Sequence, residues 1–166
     1  MSEDAFLNGI SQPTKRPIAQ AILKGSPQFP EVNGTVQFFQ MGQAVLVMAE
    51  VFGLPDGKVR PCQQPVFAFH IHEGGSCSGN RMDYFANAKN HYNPGGCMHP
   101  FHAGDMPPLF GVQGYAFMQF LTDRFTVREV LGKTVIVHEG VDDFTTQPSG
   151  NAGAKIACGV IERLRN

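Results

Sequence analysis

Residues 66–72 read VFAFHIH. In an extended chain successive side chains point to opposite faces, so Phe67, Phe69 and Ile71 share one face while His70 and His72 share the other. The apolar set predicts a strand that lines a core. The two imidazoles are then expected side by side on the outside of the sheet, spaced to bind one ion. Taken alone, a pair of histidines at this spacing reads equally well as two surface residues.

Working outward, runs of β-formers recur at residues 19–23, 35–39, 44–52, 115–121, 134–138 and 155–161, each bounded by Gly, Pro, Asn or Asp. With residues 66–72 they predict an all-β, antiparallel layout. The short step Met41-Gly42-Gln43 suits a hairpin. Residues 123–131 stay open between a strand with a turn and one short helix: Thr122 is a candidate cap, but no Glu or Gln follows it at the third position to complete a capping box. Two long stretches, 73–110 and 139–154, are rich in Gly, Pro, Asn and Asp, and loops of that length inside a compact domain are usually functional or disordered.

The chain has 166 residues, enough for one domain with its own core. Residues 1–17, polar and broken by Pro13 and Pro17, read as a loose arm, and residues 18–166 as a single domain. Thirteen Lys and Arg against 14 Asp and Glu, with no basic run, argue against nucleic acid as a partner. No apolar stretch is long enough to span a bilayer, so no membrane partner is expected. The start lacks the apolar centre of a secretory signal, and as written the chain reads as cytoplasmic. Four cysteines, however, leave room for two disulfides and for an exported form whose signal has been removed.

Chemistry concentrates in the loops. His91, His99, His102 and Asp105 fall close together, interrupted by prolines that make a continuous helix improbable. A curled loop would gather them, and three imidazoles with one carboxylate form a closed four-ligand shell of the kind structural zinc takes. His138 ends the apolar strand TVIVH. Imidazole-rich sites with room for an exogenous ligand suit copper.

Several ordered motifs then carry a resemblance: His70-Ile71-His72-Glu73, His91-Tyr92-Asn93-Pro94, His102-Ala103-Gly104-Asp105, Val137-His138-Glu139 followed by Asp142-Asp143, and the run from Gly150 to Ile161, GNAGAKIACGVI. Their order and wording resemble the copper/zinc superoxide dismutase family over roughly residues 18–162. The resemblance implies a Greek-key β-sandwich or flattened eight-stranded barrel with two long functional loops. It implies one copper per chain on His70, His72, His91 and His138, and one zinc per chain on His91, His99, His102 and Asp105, with His91 bridging the two. Asp142 would join one copper histidine to one zinc histidine, fixing each ring's tautomer. Cys77 and Cys158 would form the family's disulfide. The implied activity is conversion of superoxide to oxygen and hydrogen peroxide by alternating reduction and oxidation of copper; the alternative is a protein of the same fold that only buffers or delivers metal. A homodimer is compatible with the resemblance.

The chain departs from the family's pattern in several places. Lys155 stands where the family carries an active-site Arg; it keeps a positive charge beside the open copper position but lacks the planar fork, so weaker anion guidance with retained activity is expected. The alternative is a solvated residue at a strand end. Residues 78–90 look inserted and the loop after His138 trimmed. His99 and His102 stand closer than in the eukaryotic branch, which bears most on His99. Cys62 and Cys97 are left over, and either pair as a second staple or remain separate thiols.

Overall fold

A computed structural model describes residues 16–55 and 65–165. Among the described residues nine strands form: β1 (Ala19–Gly25), β2 (Asn33–Met41), β3 (Ala44–Phe52), β4 (Val66–Phe67), β5 (Phe69–His72), β6 (Leu109–Phe110), β7 (Ala116–Thr122), β8 (Thr134–His138) and β9 (Lys155–Arg163). One antiparallel sheet of seven strands runs in the order β5-β8-β9-β1-β2-β3-β7. Its two edges meet through a short ladder, since β4 leads directly into β5, β6 leads into β7, and Val66 and Phe67 pair with Phe110 and Leu109. Counting β4 and β5 as one interrupted run yields an eight-stranded, curled all-β architecture of the expected class. Most of residues 1–17 and Cys62 lie outside the described residues, so neither the arm nor a second disulfide is addressed by the structure.

Alternation explains which face is the core. Ala19, Ala21 and Leu23 of β1, Val36 and Phe38 of β2, and Val45, Val47, Ala49 and Val51 of β3 all point into one apolar cluster. Their neighbours along each strand are largely part-exposed, as a half-buried sheet requires. The β2–β3 hairpin closes with Met41 opposite Ala44, leaving Gly42 and Gln43 as the two-residue turn, and Gly42 adopts a positive φ of 65°.

Strands β5 and β8 break that alternation, for a reason that bears on function. Phe69, Ile71, Val135 and Val137 face the core, yet His70, His72, Ile136 and His138 on the opposite face are buried too. The loop after β5 folds back over this outer face, and its Phe85 and Ala88 pack on Ile136 and Cys158. The expectation of two histidines on the outside of the sheet is therefore half right: their side of the strand is correct, but both are enclosed, with His70 fully inaccessible and His72 at 2% exposure. Strand periodicity reports a face, not what covers it.

Residues 123–131 contain one helical turn, α1 (Val127–Val130), and the cap is Thr126 rather than Thr122. Glu129 accepts hydrogen bonds from the Thr126 amide at 2.7 Å and hydroxyl at 2.8 Å, so the capping box lies one turn later than the position tested in the sequence. Thr122 instead ends β7, and its hydroxyl accepts from the Arg124 amide. Among the described residues no helix is long and apolar enough to cross a membrane.

The disulfide joins Cys77, in the covering loop, to Cys158 near the centre of β9, with Cα atoms 5.6 Å apart and a sequence separation of 81. Closing so long a loop removes substantial freedom from the unfolded chain, worth about 4 kcal/mol in the chain-entropy account. The double substitution Cys77→Ser with Cys158→Ser is expected to lower the unfolding free energy of the metal-free protein by about 2–5 kcal/mol, read from the denaturant midpoint. An unchanged midpoint would show that the loop is held by packing alone.

Candidate metal centre

The outer face of β5 and β8 seats the site. Opposite pairs along the two strands are His70 with Ile136 and His72 with Thr134, and a bulge between Val137 and His138 re-aims the end of β8. His138 then pairs with Lys155 at the start of β9. The returning loop runs along the free edge of β5: His91 bridges to His72 and Asp105 to His70. The Tyr92 amide donates to the Ile71 carbonyl, the Ile71 amide to the Gly104 carbonyl and the Gly104 amide to the Tyr92 carbonyl. Gly104 is required because a Cβ there would strike the Ile71 carbonyl and the Tyr92 amide.

Two groups of ligand-type atoms result. His70, His72, His91 and His138 form one, and His91, His99, His102 and Asp105 form the other; within each group the nearest ligand atoms all lie within 4.8 Å of one another. His91 belongs to both. The structure thus brings together every histidine of the chain and Asp105, His99 included.

Tautomers decide what such groups can do. The buried His70 donates through Nε2 to Asp142 Oδ2 at 2.7 Å, which leaves its Nδ1 a bare lone pair, and that atom has no hydrogen-bond partner. His72 donates through Nδ1 to the Lys89 carbonyl at 2.8 Å, and His138 through Nδ1 to the Gly153 carbonyl at 3.2 Å. Their Nε2 atoms face each other at 3.3 Å with no proton left for either to give. On the other side, His99 donates through Nε2 to Asp142 Oδ1 at 2.8 Å, so its Nδ1, 3.1 Å from Asp105 Oδ2, is one acceptor facing another. His91 places Nδ1 2.7 Å from Asp105 Oδ1 and 3.4 Å from His102 Nδ1, while its Nε2 is buried without a partner on the side of the first group. Lone pairs that converge without protons need a cation to satisfy them, and the donor chemistry divides accordingly: four imidazoles suit copper, and three imidazoles with a carboxylate suit zinc.

Burial tunes these groups toward ligation. It pushes the His138 imidazole down to about 3, with His70 nearby adding to the effect, and it lowers His72 and His70 as well. Burial alone would raise Asp142, but hydrogen bonds from His70, the Phe144 amide and His99 outweigh it and hold the carboxyl well below the usual range. For Asp105, too, the His91 bond and the neighbouring imidazoles overcome burial and lower the carboxyl. At neutral pH His70, His72 and His138 are therefore neutral imidazoles and Asp105 and Asp142 ionised carboxylates, the forms suited to ligation and to orienting ligands.

Several supporting residues carried no signal in the sequence reading. Gln147 clamps His99 from both sides, accepting from its amide at 3.0 Å and donating to its carbonyl at 2.7 Å. The Arg124 guanidinium donates to the carbonyls of Pro100, His102 and Asp105 at 3.1–3.4 Å, tying the loop that carries His99, His102 and Asp105 to the end of β7. Gly150 has a positive φ of 67°, and a Cβ there would collide with the Asp142 carboxylate and His99 Nε2. The sequence marked it as the first residue of the run Gly150 to Ile161, but not for this contact. Lys155 does not extend freely toward the cleft. Its ammonium lies 2.7 Å from Asp83 Oδ2 and 3.4 Å from the Phe85 carbonyl, both in the segment 78–90.

Comparison with known proteins agrees with this geometry. The family model described as copper/zinc superoxide dismutase matches residues 32–161. A superoxide dismutase [Cu-Zn] of Aquifex aeolicus is 34% identical over 146 residues, covering 79% of this chain and 80% of its own. The enzyme of that name from Photobacterium leiognathi is 32% identical, covering 78% of each chain. The superoxide dismutase-like protein YojM of Bacillus subtilis is 36% identical over 108 residues, covering 56% of this chain and 54% of its own. The chain belongs to the copper/zinc superoxide dismutase family.

Two outcomes follow from the geometry. Because His138 takes up a proton when unfolded near the ordinary histidine value of 6.5 but when folded only near 3, stability of the metal-free protein is full above 6.5 and falls as pH drops below it. His70 and His72 act in the same direction. A loss on the order of 2 kcal/mol between pH 7 and pH 5 is expected from one such group, measured by denaturant titration; a flat profile would contradict neutral burial. Second, Arg124→Ala is expected to weaken zinc retention in chelator competition about tenfold or more, with copper retention changed less.

Proposed function

We propose that the chain is an active superoxide dismutase, holding copper on His70, His72, His91 and His138 and zinc on His91, His99, His102 and Asp105. The reading rests chiefly on one observation, the buried His91 ring whose Nδ1 faces Asp105 and whose unpartnered Nε2 faces the other three imidazoles. Copper in such a cage supplies one-electron chemistry, while zinc, lacking redox states, supplies fixed charge and order. The net reaction takes two superoxide anions and two protons to one oxygen and one hydrogen peroxide.

The chain's own residues divide the work. Asp142 fixes the tautomers of His70 and His99, so their Nδ1 lone pairs point inward without a search over ring orientations. The carbonyls of Lys89 and Gly153 do the same for His72 and His138. His91 Nε2, which faces His70, His72 and His138, is the atom that would hold and deliver a proton there. The cleft above His72, His91 and His138 is bordered by Lys155, whose charge favours a small anion.

A second reading, metal buffering or delivery without turnover, draws support from the Lys155–Asp83 ion pair, which compensates the charge that would attract substrate. Superoxide decay separates the two. Protein loaded with both metals, its content checked by elemental analysis, is expected to accelerate decay beyond what released copper explains. His138→Ala is expected to lose at least about tenfold in copper affinity and a comparable share of the rate. Full activity in His138→Ala, or decay no faster than that of free copper, would favour the buffering reading.

A further inference from the structure

Glu73, Lys89 and Lys155 line the cleft that opens onto His72, His91 and His138. A fourth charge enters through the segment 78–90. Asp83 is locked into its own turn: its Oδ1 accepts from the Phe85 amide at 2.9 Å, and its carbonyl accepts from the Asn80 and Ala86 amides. Phe85 in turn is buried against Ile136 and Cys158, beside the disulfide. The carboxylate is thus delivered by a braced loop, not by a wandering surface side chain. It meets Lys155 Nζ at 2.7 Å, with the lysine side chain only 15% exposed.

We propose that Asp83 is a specificity-setting residue, an electrostatic brake on anion entry, which cancels the positive charge of Lys155 at the mouth of the copper cage. With Asp83 ionised, Glu73, Lys89, Lys155 and Asp83 form a neutral set; without it the mouth carries one net positive charge. Charge at the mouth of a low-dielectric cleft sets the local concentration of small ions and their rate of entry, and salt screens that effect. The segment 78–90 and the Lys at position 155 then form one device, a compensated pair where an uncompensated cation would pull anions inward. The inference rests on copper occupying the His70, His72, His91 and His138 cage, but not on turnover there.

The test is azide titration of the copper- and zinc-loaded protein, followed by its visible spectrum, in wild type, Asp83→Asn and Lys155→Met. Asp83→Asn is expected to tighten azide severalfold at low salt, at least about threefold, with the gain fading as salt is raised. Lys155→Met, which leaves Asp83 uncompensated, is expected to loosen it. The wild type, with a neutral mouth, is expected to show little salt dependence, a readout that needs no variant to fold. Unchanged or looser azide binding in Asp83→Asn, or steep salt dependence in the wild type, would overturn the proposal. Superoxide decay measured on the same samples keeps the two ideas apart. Tighter azide in Asp83→Asn without turnover in any sample retains the brake and sinks the enzymatic reading. A wild type that dismutates while Asp83→Asn leaves azide affinity unchanged sinks the brake alone.

Discussion

One carboxylate organises both cages. Asp142 is buried, accepts from His70 through one oxygen and from His99 through the other, and takes a third hydrogen bond from the Phe144 amide. Its charge is costly to bury, and these donors offset that cost. In return it dictates where the ring protons sit on one histidine of each group. Without that constraint the two imidazoles could rotate or exchange tautomers, and their inward nitrogens would no longer be free lone pairs. Much of the local architecture serves this contact: Gly150 leaves room for it, and Gln147 holds the backbone of His99 in place to meet it.

The sheet makes a different contribution, by supplying a rigid floor. His70, His72 and His138 project from paired strands whose other face is packed with Phe69, Ile71, Val135 and Val137. Ligands on such a floor are set by strand register, which is strongly specified when one face is apolar. His91, His99, His102 and Asp105 come from a loop that has no such support of its own. That loop borrows order from the edge of β5 and from the Arg124 guanidinium. A cage half on a sheet and half on a loop gains accuracy from the first and access from the second.

The segment 78–90 ties covering, crosslink and charge together. It lies between Cys77 and the loop histidines, buries Phe85 and Ala88 over the back of the sheet, and brings Asp83 to Lys155. The same stretch that shields His72 also provides its Nδ1 partner, since the Lys89 carbonyl closes it. Stability and electrostatics at the mouth are therefore set by one piece of chain.

The sequence by itself determined the all-β class, the strand runs and the faces of the histidine strand, because alternation is a local property that every strand residue reports. The resemblance of the ordered motifs to a known family also implied the ligand-type residues and the Cys77–Cys158 pair. Tertiary structure alone decided the rest. Whether His70 and His72 are wet or enclosed depends on how the loop after β5 folds back over their face. The Thr126 cap was legible in principle, through Glu129, but the earlier Thr122 drew the reading. The clamps by Gln147 and Arg124 and the Lys155–Asp83 pair were not legible, for they join residues about 20 to 70 positions apart whose individual types are common on any surface. Pairings of that kind are fixed by how the chain closes in space, and a linear pattern holds no trace of that closure.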